Sequence, residues 1–195
     1  MNISIIKYNA GNVQSVLYAL ERIGVSAIVT DDHEKIRSAD KVLFPGVGEA
    51  YSAMQSLKEK NLDQLIKELQ QPVLGICVGL QLLCSHSEER DTTGLGIFDV
   101  KVKKFTSSNL KIPQIGWNNI YNLQSGLFKE VEENGYVYFV HSYYAELSEW
   151  TIATANYGIE YSAALHKNNF YGVQFHTEKS ADVGEQILKN FIELK

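Results

Sequence analysis

Cysteine is scarce in this chain: two of 195 residues, Cys77 and Cys84, seven apart. Two thiols in one segment do not make a disulfide framework, and no basic-then-apolar export segment opens the sequence, so reduced cysteines and a cytoplasmic location are expected. No apolar run approaches the ~20 residues that span a bilayer. Basic runs are missing too. With a formal net charge of −5 from interspersed charges, the chain lacks the footprint of a nucleic-acid face or an anionic-membrane anchor. No repeat, low-complexity tract or Pro/Ser-rich linker interrupts it. At 45% hydrophobic content, residues 1–195 are expected to form a single domain with a sizeable core, handling a small molecule.

The first half alternates short apolar runs with helical patterns, the signature of βαβ units and a parallel sheet. Strands are expected at Ile3 to Tyr8, Ala27 to Val29, Lys41 to Phe44 and Val73 to Ile76. Asn12 can cap a helix whose apolar face is Val13, Val16, Leu17 and Leu20, with Gly24 stopping it. A second helical face is Leu62, Leu65, Ile66 and Leu69. Pro45-Gly46-Val47-Gly48 reads as a tight turn. After residue 94 come strands without intervening helices: Ile97 to Phe105, Trp117 to Tyr121, Tyr136 to Val140, Thr151 to Tyr157, Ser162 to His166 and Phe170 to Phe175. That half is expected to be mixed or antiparallel. A last helix, about Asp182 to Leu194, turns Val183, Ile187, Leu188 and Phe191 inward.

Gly75-Ile76-Cys77-Val78-Gly79 fits a strand-to-helix elbow, in which glycines let strand and helix approach while the nucleophile sits on a strained turn. An isolated cysteine is ordinarily a small buried apolar residue. The elbow reverses that expectation for Cys77: its sulfur should be exposed, and the helix N-terminus should favour the thiolate. Cys84 has no such context and is expected in the core, further along the same helix. Of five histidines only His176 comes with an orienting acid, because in an extended His176-Thr177-Glu178 the outer two side chains point the same way. An oxyanion formed at Cys77 needs donors. The Val78 N–H is one, and the Gly46-Val47 region is the obvious source of another.

These residues, G-I-C-V-G-L-Q at 75 to 81 and Q-F-H-T-E at 174 to 178, resemble the class I (triad) glutamine amidotransferases. The blocks Tyr8 to Asn12, Pro45 to Gly48, Ser87-Glu88-Glu89, Gly116-Trp117-Asn118, Tyr138 to Tyr143 and Glu178-Lys179-Ser180 are similar, within that family, to the glutaminase subunits of imidazole glycerol phosphate synthases. The resemblance implies that Cys77 attacks the glutamine amide and forms a thioester, His176 shuttles protons and Glu178 orients it. It implies that Gln81, Glu89 and the backbone at Ser142 and Tyr143 hold glutamine. Ammonia would pass to a (β/α)8-barrel cyclase partner in a heterodimer, for histidine synthesis, across a face that includes Asn12, Trp117 and Lys179. No metal or organic cofactor is implied.

Two positions depart from the family pattern. Thr177 stands where proline is usual, and Gln114 where histidine is usual; being near Trp117, Gln114 is expected to mark an altered interface. The triad motifs fit equally a glutaminase feeding a related barrel partner in another pathway, such as surface-sugar amidation. A non-catalytic binding module would be expected to lose a triad residue. A generic cysteine hydrolase would gain nothing from a partner.

Overall fold

The computed structural model describes residues 1–9 and 13–194. Asn12, expected to cap the first helix and face a partner, lies outside the described residues. The first half runs β1 (Ile3–Ile6), α1 (Val13–Arg22), β2 (Ile28–Thr30), α2 (His33–Arg37), β3 (Lys41–Gly46), α3 (Ala50–Glu59), α4 (Leu62–Glu68), β4 (Val73–Cys77) and α5 (Val78–Leu83). The second half is strand-rich: β5 (Cys84–Ser87), β6 (Thr92–Thr93), β7 (Phe98–Lys104), β8 (Gln114–Asn119), β9 (Tyr136–His141), β10 (Tyr143–Ala145), β11 (Thr151–Asn156), β12 (Glu160–Lys167) and β13 (Phe170–Val173). Helix α6 (Ala181–Glu193) follows.

Eleven strands form one sheet, in the order β2-β1-β3-β4-β13-β12-β10-β7-β5-β6 with β11 paired to β12. From β2 to β13 every pair is parallel, and from β13 to β7 the pairs turn antiparallel. Strands β8 and β9 make a separate antiparallel ribbon. This is the mainly parallel α/β architecture with an added antiparallel region that the sequence implied. β1, β3, β4 and β13 are buried along their whole length, which is why they read as near-continuous apolar runs, broken only by buried Ser4 in β1 and Lys41 at the start of β3.

The helices follow their apolar stripes. Val16, Ala19 and Leu20 of α1 are buried, and Gly24, at φ +76°, ends it. There the Gly24 N–H donates to the Glu21 carbonyl and the Val25 N–H to the Leu20 carbonyl, a Schellman closure that a left-handed residue permits. In α6, Ile187, Leu188 and Phe191 are buried. Helix α3 was not among the expected elements, although Ala50, Ala53, Met54 and Leu57 line its buried face.

Several boundaries differ from expectation, β8 running Gln114–Asn119 rather than Trp117 to Tyr121 and β1 ending at Ile6 rather than Tyr8 among them, and two differences bear on the site. The residues read as a turn from Pro45 begin inside β3, because the parallel ladder continues to Gly46 opposite Cys77. Cys84 is in the core, but it opens β5 rather than continuing a helix. The returning segment explains why: the Leu95, Ile97 and Gly96 N–H groups bond the carbonyls of Leu82, Leu83 and Cys84, ending α5 after six residues.

Candidate active site

The carboxyl ends of β3, β4 and β13, adjacent in the sheet, deliver the candidate residues, as parallel sheets commonly do. Cys77 closes β4 at φ 55°, ψ −110°. A non-glycine residue held there costs about 1–3 kcal/mol, a strain that clusters at functional sites. The flanking glycines are steric requirements. A Cβ on Gly75 would lie 2.8 Å from the Gly79 carbonyl carbon and from Leu83 Cδ1, and one on Gly79 would overlap the Phe44 carbonyl oxygen. The sequence expectation of an exposed sulfur does not hold. Cys77 is 3% exposed, because the Val140 carbonyl of β9 and the Gln174 amide, each 3.8 Å from Sγ, cover it.

His176 and Glu178 meet, though not by the alternation of an extended chain. Strand β13 ends at Val173, and Thr177–Lys179 form a 3₁₀ turn preceded by His176. The turn brings His176 Nδ1 to 2.7 Å from Glu178 Oε1 in a buried pair. The ring is thereby held with Nδ1 donating and the opposite nitrogen free to face Cys77. Burial pulls the imidazole pKa down, but the hydrogen bonds and charges of Cys77 and Glu178 outweigh it and hold the pKa above its usual value. Glu178 Oε2 and Thr177 Oγ1 are buried with no hydrogen-bond partner among the described residues. Ser180 Oγ donates to the His176 carbonyl and accepts from the Tyr138 N–H, fastening the turn to β9.

Gly46 and Val78 lie beside Cys77: Gly46 is paired with it across the ladder, and Val78 begins α5. Val47 follows, half-buried, and Gly48 has φ +90°. Tyr8, whose role the sequence did not suggest, donates its hydroxyl to the Pro45 carbonyl at 2.9 Å. The Tyr8 hydroxyl oxygen lies 2.5 Å, and the Gly79 backbone nitrogen 2.9 Å, from where a Gly46 Cβ would stand, so glycine fits there without displacing backbone. Burial first, then the Cys77 charge, raises the Tyr8 pKa.

Gln81 is buried on α5, and its Nε2 donates to the Tyr143 carbonyl at 2.9 Å and to Gln174 Oε1 at 3.0 Å. The Tyr143 carbonyl also accepts from His141 Nδ1 at 2.7 Å. Buried His141, another residue the sequence did not single out, has its pKa lowered to about 4 by burial, with the His176 charge adding and the Tyr143 bond opposing. The Ser142 carbonyl is taken by the Phe105 N–H. Burial raises the Tyr143 pKa, and the charges of Glu89, Glu88 and Glu49 raise it further. Glu49 pairs with Arg90 and Glu88 with Lys103. Half-buried Glu89 has no cationic partner among the described residues, only the Ala50 N–H at 2.7 Å.

The β8–β9 ribbon is two-faced. Ile115, Trp117 and Tyr136 are 58%, 53% and 61% exposed on its outer side, where Trp117 opposes Tyr138 in register and packs edge-on against it. Lys179 is exposed. Gln114 does not share this face. Three residues before Trp117 on a strand, it points the other way, is 3% exposed, and accepts the Tyr161 hydroxyl at 3.0 Å.

Residues 4–194 match the family model described as glutamine amidotransferase class-I. The chain is 56% identical to imidazole glycerol phosphate synthase subunit HisH of Bacteroides fragilis and 53% to that of Bacteroides thetaiotaomicron, each over all of both chains. It is 44% identical to the HisH of Haemophilus influenzae, over 99% of this chain and 98% of that one. Among solved structures, a glutamine amidotransferase from Thermotoga maritima aligns at a TM-score of 0.62 and 19% identity, covering 99% of this chain and 81% of the other. PurLQS from Thermotoga maritima aligns at 0.71 and 13%, covering 98% and 97%; at such identities these two likenesses speak to the fold alone. The chain belongs to the class-I glutamine amidotransferases, in the branch of imidazole glycerol phosphate synthase subunit HisH.

Proposed function

We propose that this chain hydrolyses glutamine and hands the ammonia to the cyclase subunit of imidazole glycerol phosphate synthase in histidine biosynthesis, residues 1–195 acting as one cytoplasmic glutamine amidotransferase domain. The observation that carries the chemistry is the buried His176–Glu178 pair at 2.7 Å beside a cysteine held at positive φ. HisH relatives at 44–56% identity over full length favour the histidine pathway over another barrel partner.

Cys77 passes its thiol proton to His176, and Sγ attacks the side-chain amide carbon of glutamine. The carbonyl oxygen, now an oxyanion, is met by the Val78 N–H and by a donor from the Gly46-Val47 stretch; one such donor is worth about 3 kcal/mol, a hundredfold in rate. His176 protonates the departing nitrogen, which leaves as ammonia, and then takes a proton from the water that cleaves the thioester to glutamate. Glu178 steadies the imidazolium. Glu89, the acid without a cation of its own, takes the substrate ammonium, Gln81 accepts from the same end through Oε1, and the backbone at Ser142 and Tyr143 completes the cradle. The outer ribbon face with Ile115, Trp117 and Tyr138, together with Lys179 and Asn12, meets the cyclase; aromatic anchors of this kind suit such an interface. Because Val140 on that ribbon covers Cys77, docking and access to the thiol share one element.

Reconstitution with the cyclase tests the reading. Glutamine and ammonium salt should both support imidazole glycerol phosphate formation by the wild-type pair, and ammonium salt alone by the pair carrying Cys77→Ala. Glutamine-dependent formation by that variant would overturn the assignment.

A further inference from the structure

Gln174 is fully buried between the nucleophile and a residue of the substrate cradle, and neither the motif reading nor the mechanism above gives it a task. Its surroundings fix which way its amide points. The Tyr143 carbonyl can only accept, so the Gln81 group facing it at 2.9 Å is Nε2. That same nitrogen lies 3.0 Å from Gln174, so the Gln174 atom it meets is Oε1. By elimination Nε2 of Gln174 is turned to Cys77 Sγ, at 3.8 Å. The direction of the whole relay follows from one backbone carbonyl, itself held from the other side by His141 Nδ1. The Gln174 backbone is equally fixed, its N–H donating to the Ala163 carbonyl at 2.8 Å.

Two consequences follow from this geometry. Sγ has two polar neighbours at 3.8 Å with opposite preferences: the Val140 carbonyl accepts from a thiol, whereas the Gln174 N–H donates to a thiolate. An N–H donor to a charged acceptor is stronger than one to its neutral form. Meanwhile both Nε2 protons of Gln81 are spent on Tyr143 and Gln174, which leaves Oε1 as its one polar atom with no hydrogen bond among the described residues. We propose that Gln174 is a further residue of the glutaminase machinery, donating to the Cys77 sulfur in its ionised form while holding Gln81 with its carbonyl oxygen turned to the substrate. The proposal rests on Cys77 being the nucleophile and deepens that reading.

Two near-isosteric variants separate the halves of this task. Gln174→Met removes donor and acceptor; Gln174→Glu keeps an acceptor for Gln81 and sets a carboxylate beside the sulfur. Each is prepared with the cyclase, and iodoacetamide alkylation of the Cys77 peptide is followed by mass against pH. Both variants should move the alkylation midpoint upward, by about one pH unit, corresponding to a tenfold loss of thiolate. Only Gln174→Met should raise KM for glutamine, by about tenfold, with Gln174→Glu within about twofold of wild type. Gln81→Leu should raise KM and leave the midpoint in place. Midpoints unmoved in both Gln174 variants, or KM raised equally in both, would reduce Gln174 to a packing residue. Failure of the underlying reading is a different result, glutamine hydrolysis surviving in Cys77→Ala.

Discussion

The Tyr138 carbonyl accepts a 2.9 Å hydrogen bond from the His176 N–H, while the Tyr138 ring packs edge-on against exposed Trp117 of the neighbouring strand β8 on the outer face of the ribbon. One residue thus joins the candidate partner face to the candidate proton carrier. Trp117→Ala should weaken association with the cyclase by about ten- to a hundredfold, as loss of an aromatic anchor does, and leave hydrolysis by the isolated chain within about twofold. Titration calorimetry with the cyclase reads it. Unchanged affinity would move the interface elsewhere.

Glu178→Gln keeps a hydrogen-bond acceptor for His176 Nδ1 but removes the charge that favours imidazolium. Turnover should fall, and by less than in His176→Ala, which removes the proton carrier itself. The reverse order in steady-state glutamate release would argue that Glu178 does more than orient and stabilise.

Thr177 opens the 3₁₀ turn after His176 at φ −87°, ψ 102°, an extended conformation that a following proline accepts. The first position of such a turn suits proline, and the Thr177 hydroxyl is buried without a partner among the described residues. Thr177→Pro should therefore stabilise the fold by about 0.5–2 kcal/mol and change turnover only slightly. Urea unfolding and kcat check it; a large gain in turnover would mean that threonine leaves the His176 turn poorly ordered.

His141 makes stability depend on pH. Its pKa is lowered to about 4 in the fold against about 6.5 unfolded, so between these values the unfolded chain binds the extra proton. The stabilisation is full above pH 6.5 and is lost as pH falls through 4, by up to about 3 kcal/mol. His141→Asn, which retains a donor near the Nδ1 position, should flatten that part of the acid limb in urea melts compared at pH 7 and 4.5. An acid limb identical to wild type would show that His141 is not its source.

What the sequence made legible was local. Gly75, Cys77 and Gly79 announce the elbow because strand–helix contact at that point allows no Cβ, and the parallel half announces itself through strands buried on both faces. The pairing of His176 with Glu178 was legible by spacing, yet the geometry that makes it is a turn. The exposure of Cys77 was misjudged because its cover, Val140, comes from a strand 63 residues away. Gln174 and His141 lie inside the blocks 174 to 178 and 138 to 143, yet their tasks stayed silent for the same reason: a buried polar relay has no period of its own, only distant partners. Gln114 was different. Strand alternation between 114 and 117 was available in the sequence and sets them on opposite faces.

Cys77 is 3% exposed, and we propose that an oxyanion donor on the Gly46-Val47-Gly48 stretch reorients when the partner binds, so that the isolated chain is a slow glutaminase and its partner switches it on. Glutamate release should therefore be measured at saturating glutamine for the chain alone, with the cyclase, and with the cyclase holding its ribonucleotide. The account predicts a rise at each step, about a hundredfold or more overall, in turnover rather than in glutamine affinity. Equal turnover in the three states would contradict it and leave Cys77 the nucleophile of an unregulated hydrolase.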